Sequence, residues 1–247
     1  MTDKKPEPGQ TLVEHLTELR IRLVRALMAI AVGTIGGWIV SDRLLDIVRR
    51  PIVPYLRGTA KGLVFTGVMD DFMAHVKVAM MGGVILTCPF WLYQIWKFIA
   101  PGLYSKEKRY SAGFILAGSL LFVAGVCFAY FLVYPTAFKI LLNFGGRHDI
   151  PMITIREYLS FFFTTTLLFG LAFELPLIMT ILAMLGLIDK AFLTGKRRYA
   201  IVLLSIIAAI LAPPDLISML LLLVPMIGLF EIGVIMVGIF GKKPEVV

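Results

Sequence analysis

The stretch YSAGFILAGSLLFVAGVCFAYFLVYPTAF, residues 110–138, runs for 29 residues without an Asp, Glu, Lys or Arg. A helix needs about 20 mainly apolar residues to cross a hydrocarbon core of roughly 30 Å. This stretch is therefore long enough to cross a bilayer with some tilt. It predicts a transmembrane helix and raises the question of how many similar runs the chain contains.

The composition of the whole chain points to the same environment. Of its 247 residues, 59% are hydrophobic and only 16% are charged, and the mean hydropathy is +0.89. These values lie outside the range of a soluble globular domain. Further apolar runs cover residues 26–40, 78–96, 158–185, 199–212 and 216–230. We predict an all-α polytopic membrane protein, with six transmembrane helices in a single domain over residues 1–247.

The last two apolar runs are short. Residues 199–212 and 216–230 contain 14 and 15 residues, which as helices would reach only about 21–23 Å. The sequence Pro-Pro-Asp at 213–215 is typical of a turn, and basic residues at 196–198 and 242–243 flank the pair. We interpret the two runs as a hairpin of short helices, the alternative being one kinked element. Helices this short imply a thinned bilayer or shielding by partner helices.

The distribution of basic residues predicts the orientation of the chain. With six spans, 15 of the 24 Lys and Arg residues lie on the side of the two termini and 9 on the other side. The positive-inside rule then places both termini in the cytoplasm. Residues 1–25 form an amphipathic cytoplasmic helix that leads into the first span, residues 97–109 the first cytoplasmic loop, and residues 242–247 a cytoplasmic tail. The loop at 41–77 is predicted to be a periplasmic cap with short helical pieces.

The sequence lacks the usual signatures of catalysis. It contains no Gly-rich phosphate loop, no His-Glu-x-x-His and no Gly-x-Ser-x-Gly, and its three histidines, His15, His75 and His148, lie outside the apolar runs. Cys88 and Cys127 lie within those runs, as small buried hydrophobes do. We expect no enzymatic activity, cofactor or metal. The net charge is +8, but the basic residues are not accompanied by the aromatic stacking residues of a nucleic-acid-binding protein. We therefore expect no nucleic-acid partner.

Charged residues at the cytoplasmic face suggest a binding site. Glu18, Arg20 and Arg22 lie where the N-terminal helix enters the membrane, and Glu107 lies in the first cytoplasmic loop. Glu18 can form an ion pair with Arg22, four residues later. The Glu107 carboxylate can stabilise the N-terminus of the next helix. Alternatively, the two carboxylates receive a cationic ligand, in which case arginine is favoured because a guanidinium binds a carboxylate through two hydrogen bonds.

Glu174 is a carboxylate in an otherwise apolar run, two residues before Pro176. A charged, unpaired carboxylate at that depth is unfavourable by several kcal/mol, on the order of 3 or more, so the group is protonated, hydrated or partnered. It either joins helices structurally or carries protons, as in a proton-coupled transporter of a small solute. Pro176, like Pro89 and Pro225, interrupts helical hydrogen bonding and favours a concave bundle.

Four stretches together resemble one known family over nearly the whole chain. They are HLTELRIR at 15–22, YQIWKFIAPGLY at 93–104 followed by Glu107, Phe-Glu-Leu-Pro at 173–176, and Pro-Pro-Asp at 213–215 with Phe230 and Glu231. Each is weak alone, but their order and spacing are specific. The chain is similar to the TatC family, the receptor subunits of twin-arginine protein translocases.

This resemblance implies a concave, glove-like bundle of six helices, with short last helices, in a bacterial or archaeal plasma membrane. It implies that Glu18 and Glu107 bind the twin-arginine signal peptide of folded cargo, for export driven by the protonmotive force.

The resemblance also implies roles for further residues, and partners for the chain. Arg20 and Arg22 would take part in signal-peptide binding with the two glutamates, and Pro51, Glu174, Pro176 and Asp215 would have functional, structural roles. The last two spans, with Met219, Phe230 and Glu231, would dock single-span partners of the TatA and TatB type, in a receptor complex with several copies of this chain. Met219 stands where some family members carry a polar residue.

Overall fold

The structure is a computed structural model that describes residues 12–56, 62–99, 111–142, 152–211 and 216–240. These residues are almost entirely helical, as the composition predicts. Their α-helices, in chain order, are α1 (Leu12–Ile39), α2 (Ser41–Arg49), α3 (Asp70–Leu86), α4 (Cys88–Ile99), α5 (Ser111–Phe128), α6 (Tyr134–Leu141), α7 (Ile155–Ala172), α8 (Leu175–Met184), α9 (Lys190–Gly195), α10 (Arg197–Leu211) and α11 (Leu216–Phe240).

Three helical segments in the described residues, the second of them interrupted at Phe173 and Glu174, are long and apolar enough to cross a bilayer: Ala112–Leu141, Ile155–Met184 and Met219–Phe240. Two bent pairs also qualify if each is one span, namely α1 with α2, bent by 83°, and α3 with α4, bent by 57°. The N-terminal helix and the first span form one continuous helix, α1. With α10, which is apolar but only 15 residues long, the arrangement is consistent with six spans.

The predicted length of the last span is wrong. Residues 216–230 were expected to form a helix of 15 residues, but α11 continues through Glu231 to Phe240 and is 25 residues long. Glu231 does not end the helix because its carboxylate is half-exposed and accepts a hydrogen bond of 2.8 Å from Arg197 on α10. The apolar sequence resumes immediately after it. Of the two last helices, only α10 is short.

Helices α1 and α3 cross at very short range through glycines. A Cβ atom at Gly37 would lie 2.6 Å from the backbone oxygen of Ala79, and one at Gly83 would lie 2.6 Å from the backbone nitrogen of Thr34. Gly33 is similarly confined by Thr87. In lipid, where apolar side chains gain little by leaving the solvent, close backbone packing of this kind is a main source of helix association.

The main hydrophobic core extends from α2 and α3 through α6 and α7 to α8, α10 and α11. Gly125 on α5 packs against the backbone of Phe169, so that α5 and α7 also cross closely. The buried Tyr134 hydroxyl donates to the carbonyl oxygen of Phe162 at 2.8 Å and lies 2.6 Å from the Thr166 hydroxyl. A short π-helical turn, Ala129–Val133, joins α5 to α6. This aromatic and polar network gives the bundle its central support.

The loop at 41–77 contains short helical pieces, as predicted. They are α2 and a 3₁₀ turn, Val53–Tyr55, and α3 begins within the loop at Asp70. The carbonyl oxygens of Ile47 and Val48, at the end of α2, accept hydrogen bonds from the hydroxyls of Tyr130 and Tyr158. Backbone hydrogen bonds of 3.0 Å also join Val64 to the segment preceding α7. The loop is therefore fixed to the bundle.

Two of the three prolines singled out in the sequence lie next to breaks. The chain bends at Thr87, between α3 and α4, just before Pro89. Helices α7 and α8 are separated by Phe173 and Glu174, because Pro176 lacks the N–H that would bond to Ala172. Pro225, in contrast, lies inside the continuous helix α11. These breaks shape the surroundings of the candidate site.

Candidate functional site

Glu18 and Arg22 form an ion pair on α1. The Arg22 guanidinium donates from Nε to Glu18 Oε1 at 3.1 Å, and its Nη2 contacts the same oxygen. This confirms the local pair that the four-residue spacing predicts. Arg20, on the same helix, is exposed. Arg22 and Glu18 are mostly covered, with 12% and 24% of their side chains exposed.

The pair has unused hydrogen-bonding capacity. Glu18 Oε2 and Arg22 Nη1 are buried and have no hydrogen-bond partner among the residues that the structure describes. A buried oxygen or N–H without a partner is unfavourable by roughly 1–3 kcal/mol. A ligand with a guanidinium donor would satisfy the free oxygen of Glu18. The local pair and a binding role are therefore compatible.

Several predicted site residues lie outside the described residues. They are Glu107, with most of the loop at 97–109, and Asp215, with Pro213 and Pro214. The tail at 242–247, His148 and the side chain of His15 also lie outside them. The structure describes only the beginning of the first loop, where α4 ends at Ile99.

Glu174 is buried between α7 and α8, with 4% of its surface exposed. Its Oε1 has no hydrogen-bond partner within the described part of the chain, and its Oε2 lies against α5, where a Cβ atom at Gly118 would be 3.2 Å away. An adjoining cavity of about 180 Å³ is lined mostly by apolar side chains, including Trp96 and Phe114. Because one water needs only about 10–15 Å³ of such space, the cavity has room to hydrate the carboxylate.

Pro51 is buried directly after α2. The backbone N–H of Arg50 donates to Ile47 and that of Ile52 donates to Arg49, each at 3.2 Å, so that the chain turns tightly around the proline. Ile52 itself is 1% exposed and belongs to the core. Pro51 thus lies in the structural join between the loop at 41–77 and the bundle.

The three residues assigned to partner docking are not equivalent. Phe230 is buried in the main core, Met219 is half-buried against that core, and Glu231 is half-exposed in its pair with Arg197. Any part that Phe230 plays in docking would be indirect. Pro176 is fully buried at the start of α8.

The sequence alone did not identify the outer face of α10. Within the described part of this helix, Leu204 and Ala208 are its buried hydrophobic residues. Five large apolar residues on its other sides are between half and three-quarters exposed: Tyr199, Val202, Leu203, Ile206 and Ile210. After Tyr199, Ser205 is the one polar side chain of α10 among its described residues, so the sequence does not show which side of the helix is free. Only the packing shows which residues are free.

Gln94 is a second residue that the sequence analysis did not single out. It is 5% exposed on α4, and its side-chain oxygen has no hydrogen-bond partner among the described residues. A polar residue in an apolar run was the signal that would have identified it. Across the described residues, no group of three or more His, Cys, Asp or Glu side chains is placed to hold a metal ion.

These features define an all-α, multi-pass membrane protein with one buried carboxylate, Glu174, among its described residues. Residues 14–225 match the model of the family described as Sec-independent protein translocase protein (TatC). The chain belongs to this family and is a component of the Sec-independent, Tat protein translocase in a bacterial membrane.

Curated relatives cover most of the chain. TatC of Desulforapulum autotrophicum is 37% identical, covering 98% of this chain and 89% of the relative. TatC of Carboxydothermus hydrogenoformans is 40% identical, covering 94% and 95%. That of Escherichia coli strain K12 is 36% identical, covering 92% and 88%.

The fold also matches solved structures. A crystal structure of the twin arginine translocase receptor TatC superposes with a TM-score of 0.81 and 33% identity, covering 92% of this chain and 99% of that one. The same receptor in DDM gives a TM-score of 0.82 and 34% identity, with 93% and 100% covered. The family resemblance and the fold class inferred from the sequence are confirmed.

Proposed function

We propose that this protein is the receptor subunit that binds the twin-arginine signal peptide of folded cargo. In this proposal it also organises partner subunits for export driven by the protonmotive force. The observation that carries the proposal is the Glu18 carboxylate, which has one oxygen paired with Arg22 and the other oxygen buried without a described partner. The name of the similar crystal structures, a twin arginine translocase receptor, supports it.

The charge arrangement explains a preference for arginine. Glu18 and Arg22 nearly neutralise each other, so an incoming cation meets a carboxylate with one free oxygen rather than an open negative patch. A guanidinium presents several N–H donors in a fixed plane and can reach such an oxygen directionally, whereas an ammonium is a compact point charge. Glu107 would supply a second carboxylate, one for each arginine of the pair. Arg20, which is exposed nearby on α1, would bind backbone or acidic groups of the peptide.

The test is binding of a fluorescent twin-arginine signal peptide to the purified protein. Changing Glu107→Ala or Glu18→Gln should weaken binding about tenfold or more, since each removes a charge-assisted hydrogen bond. Replacing both peptide arginines by lysines should have a similar effect on the wild-type protein. Glu157→Gln is the matched control, because Glu157 is an exposed carboxylate at the start of α7. Unchanged affinity in both site variants would refute the assignment.

We also propose that α10 and α11 dock the TatA- and TatB-type partners. The support is the outer face of α10, whose Val202, Leu203 and Ile206 are exposed apolar residues on a helix of only 15 residues. A short helix favours association with other helices that share its mismatch with the bilayer. Several copies of this chain would assemble with these partners, with both termini in the cytoplasm.

Glu174 supports one alternative function, proton-coupled transport of a small solute. Its buried, unpartnered Oε1 beside a cavity is the observation that favours it. In the translocase proposal the same group instead admits water into the bundle near a thinned membrane. Liposomes containing this chain alone distinguish the two functions. Substrate-dependent proton uptake that is lost in Glu174→Gln would indicate a transporter.

A further inference from the structure

A groove lies between α1 and α4 on the outer surface of the bundle. At the C-terminal end of the groove along α1, Gly33 lets the backbone of α1 approach Thr87 and Gly83 closely. At Thr87 the chain bends by 57°, so that α4 leaves the line of α3. A groove of about 570 Å³ lies along the outer side of the contact between α1 and α4, beside Ala26 and Ile30, which pack against the Cys88 and Trp91 cluster of α4.

The walls of this groove are apolar and exposed. Met28 and Val32 on α1 are 63% and 68% exposed, and Leu86 and Phe90 on the other wall are 73% and 46% exposed. Between Arg25 and Val32 the groove follows about 10 Å of helix, a third of the hydrocarbon core. No described segment of the chain covers it. In a bilayer, a groove at this depth is in contact with acyl chains.

One end of the groove carries a positive charge. Arg25 lines it at the N-terminal side of α1 and is exposed. Unlike Arg22, one turn away, Arg25 makes no ion pair or hydrogen bond with the described residues. A guanidinium at the edge of an apolar surface matches a phosphate attached to an acyl chain, because guanidinium and phosphate form paired hydrogen bonds.

We propose that this groove is a binding site for an anionic phospholipid, with one acyl chain along Met28 and Val32 and the phosphate on Arg25. The charge favours a lipid of net charge −1, such as phosphatidylglycerol. Its phosphate neutralises Arg25, whereas the phosphate of phosphatidylethanolamine is already balanced by its own amine. A transmembrane helix of another protein fits the groove less well than a lipid does, because the groove offers such a helix a single cation and no buried polar partner.

The experiment measures lipid retention by native mass spectrometry of the detergent-purified full chain with added phosphatidylglycerol, phosphatidylethanolamine or inorganic phosphate. Arg25→Gln should lower the affinity for phosphatidylglycerol about fivefold and remove its preference over phosphatidylethanolamine. Ala29→Phe should lower retention of both lipids, because Ala29 lines the groove and a phenyl ring would fill it. Inorganic phosphate, which has no acyl chain, should not be retained.

Two control variants separate this site from general effects. Arg43→Gln removes an exposed positive charge from α2, and Ala31→Phe adds a phenyl ring to an exposed position of α1 outside the groove. Neither should change lipid retention. The proposal is overturned if Arg25→Gln and Arg43→Gln lower retention equally, or if Ala29→Phe retains lipid as Ala31→Phe does. Thermal stability without lipid verifies folding, and the rise in Tm on adding phosphatidylglycerol gives a second measure of binding.

Discussion

The contact between α1 and α3 and the contact between α10 and α11 are built in opposite ways. In the first, glycines such as Gly37 and Gly83 allow the two backbones to touch. In the second, α10 contains no glycine, and Gly228 of α11 is exposed with nothing within 4 Å of where a Cβ would lie, so no close backbone approach through glycine joins the two helices there. The contact there depends on side chains such as Leu204 and on one half-exposed ion pair, Arg197 with Glu231.

The difference assigns the two regions different mechanical roles. Helices in lipid gain stability from close packing rather than from leaving water, so the glycine crossing is a strong join and α10 is weakly held. The glycines near the end of α11 pack elsewhere, Gly233 on Met179 of α8 and Gly238 on Lys190 of α9. Helix α10 is thus the element of the described bundle best placed to exchange its contacts for those of a partner.

The largest expected effect is at the glycine crossing. Gly37→Ala should lower the free energy of unfolding by about 2–3 kcal/mol, because the added methyl meets the Ala79 carbonyl at 2.6 Å and the helices must separate. Thermal unfolding of the detergent-purified protein measures this. Gly36→Ala is the matched control, since a Cβ there meets nothing within 4 Å. It should be neutral or stabilising, because alanine favours a helix. Equal destabilisation by both would show that helix flexibility, and not close packing, explains the glycines.

An intermediate effect is expected on α10. Leu204→Ala removes a side chain that is 6% exposed and should lower stability by roughly 1–2 kcal/mol, less than in a soluble core because an apolar side chain gains little free energy by leaving lipid. Leu203→Ala, at a position 58% exposed, should leave stability unchanged but reduce co-purification of a partner helix. A stability loss at Leu203 as large as at Leu204 would contradict the exposed face described for α10.

The smallest effect is expected at the ion pair between α10 and α11. Glu231→Gln should change the free energy of unfolding by less than about 1 kcal/mol, because both side chains are more than a third exposed. A double-mutant cycle with Arg197→Gln isolates the pair itself. A coupling energy well above 1 kcal/mol would mean that the pair, rather than Leu204, holds α10 in place.

Hydrophobic length and local spacing account for what could be predicted from the sequence. They identify the apolar runs, the continuity of α1, the pair of Glu18 with Arg22, and the breaks near Pro89 and Pro176. Each of these depends on residues close together in the chain. The family assignment depended instead on the order of several short motifs.

The remaining features depend on contacts between distant residues. The length of α11 was mispredicted because a single Glu231 resembles the end of a span unless its partner, 34 residues away, is known. The sequence does not distinguish the closely packed Gly37 and Gly83 from Gly36, whose missing Cβ would meet nothing within 4 Å. The exposed face of α10 cannot be recognised in the sequence, since the helix is almost wholly apolar beyond Arg197 and Arg198 at its start.

The unequal lengths of α10 and α11 have a consequence for the lipid around the protein. Arg197, at the start of α10, pairs with Glu231, and α11 continues for nine residues beyond that level, about 14 Å of helix. If the end of α11 lies in the hydrocarbon, the edge of the hydrocarbon does not meet both helix ends in one plane, and the water boundary steps inward beside α10. The lipids beside α10 store the elastic energy of that step. A neighbouring molecule that covers α10 reduces the length of protein edge along which the bilayer is deformed, and so releases part of this energy.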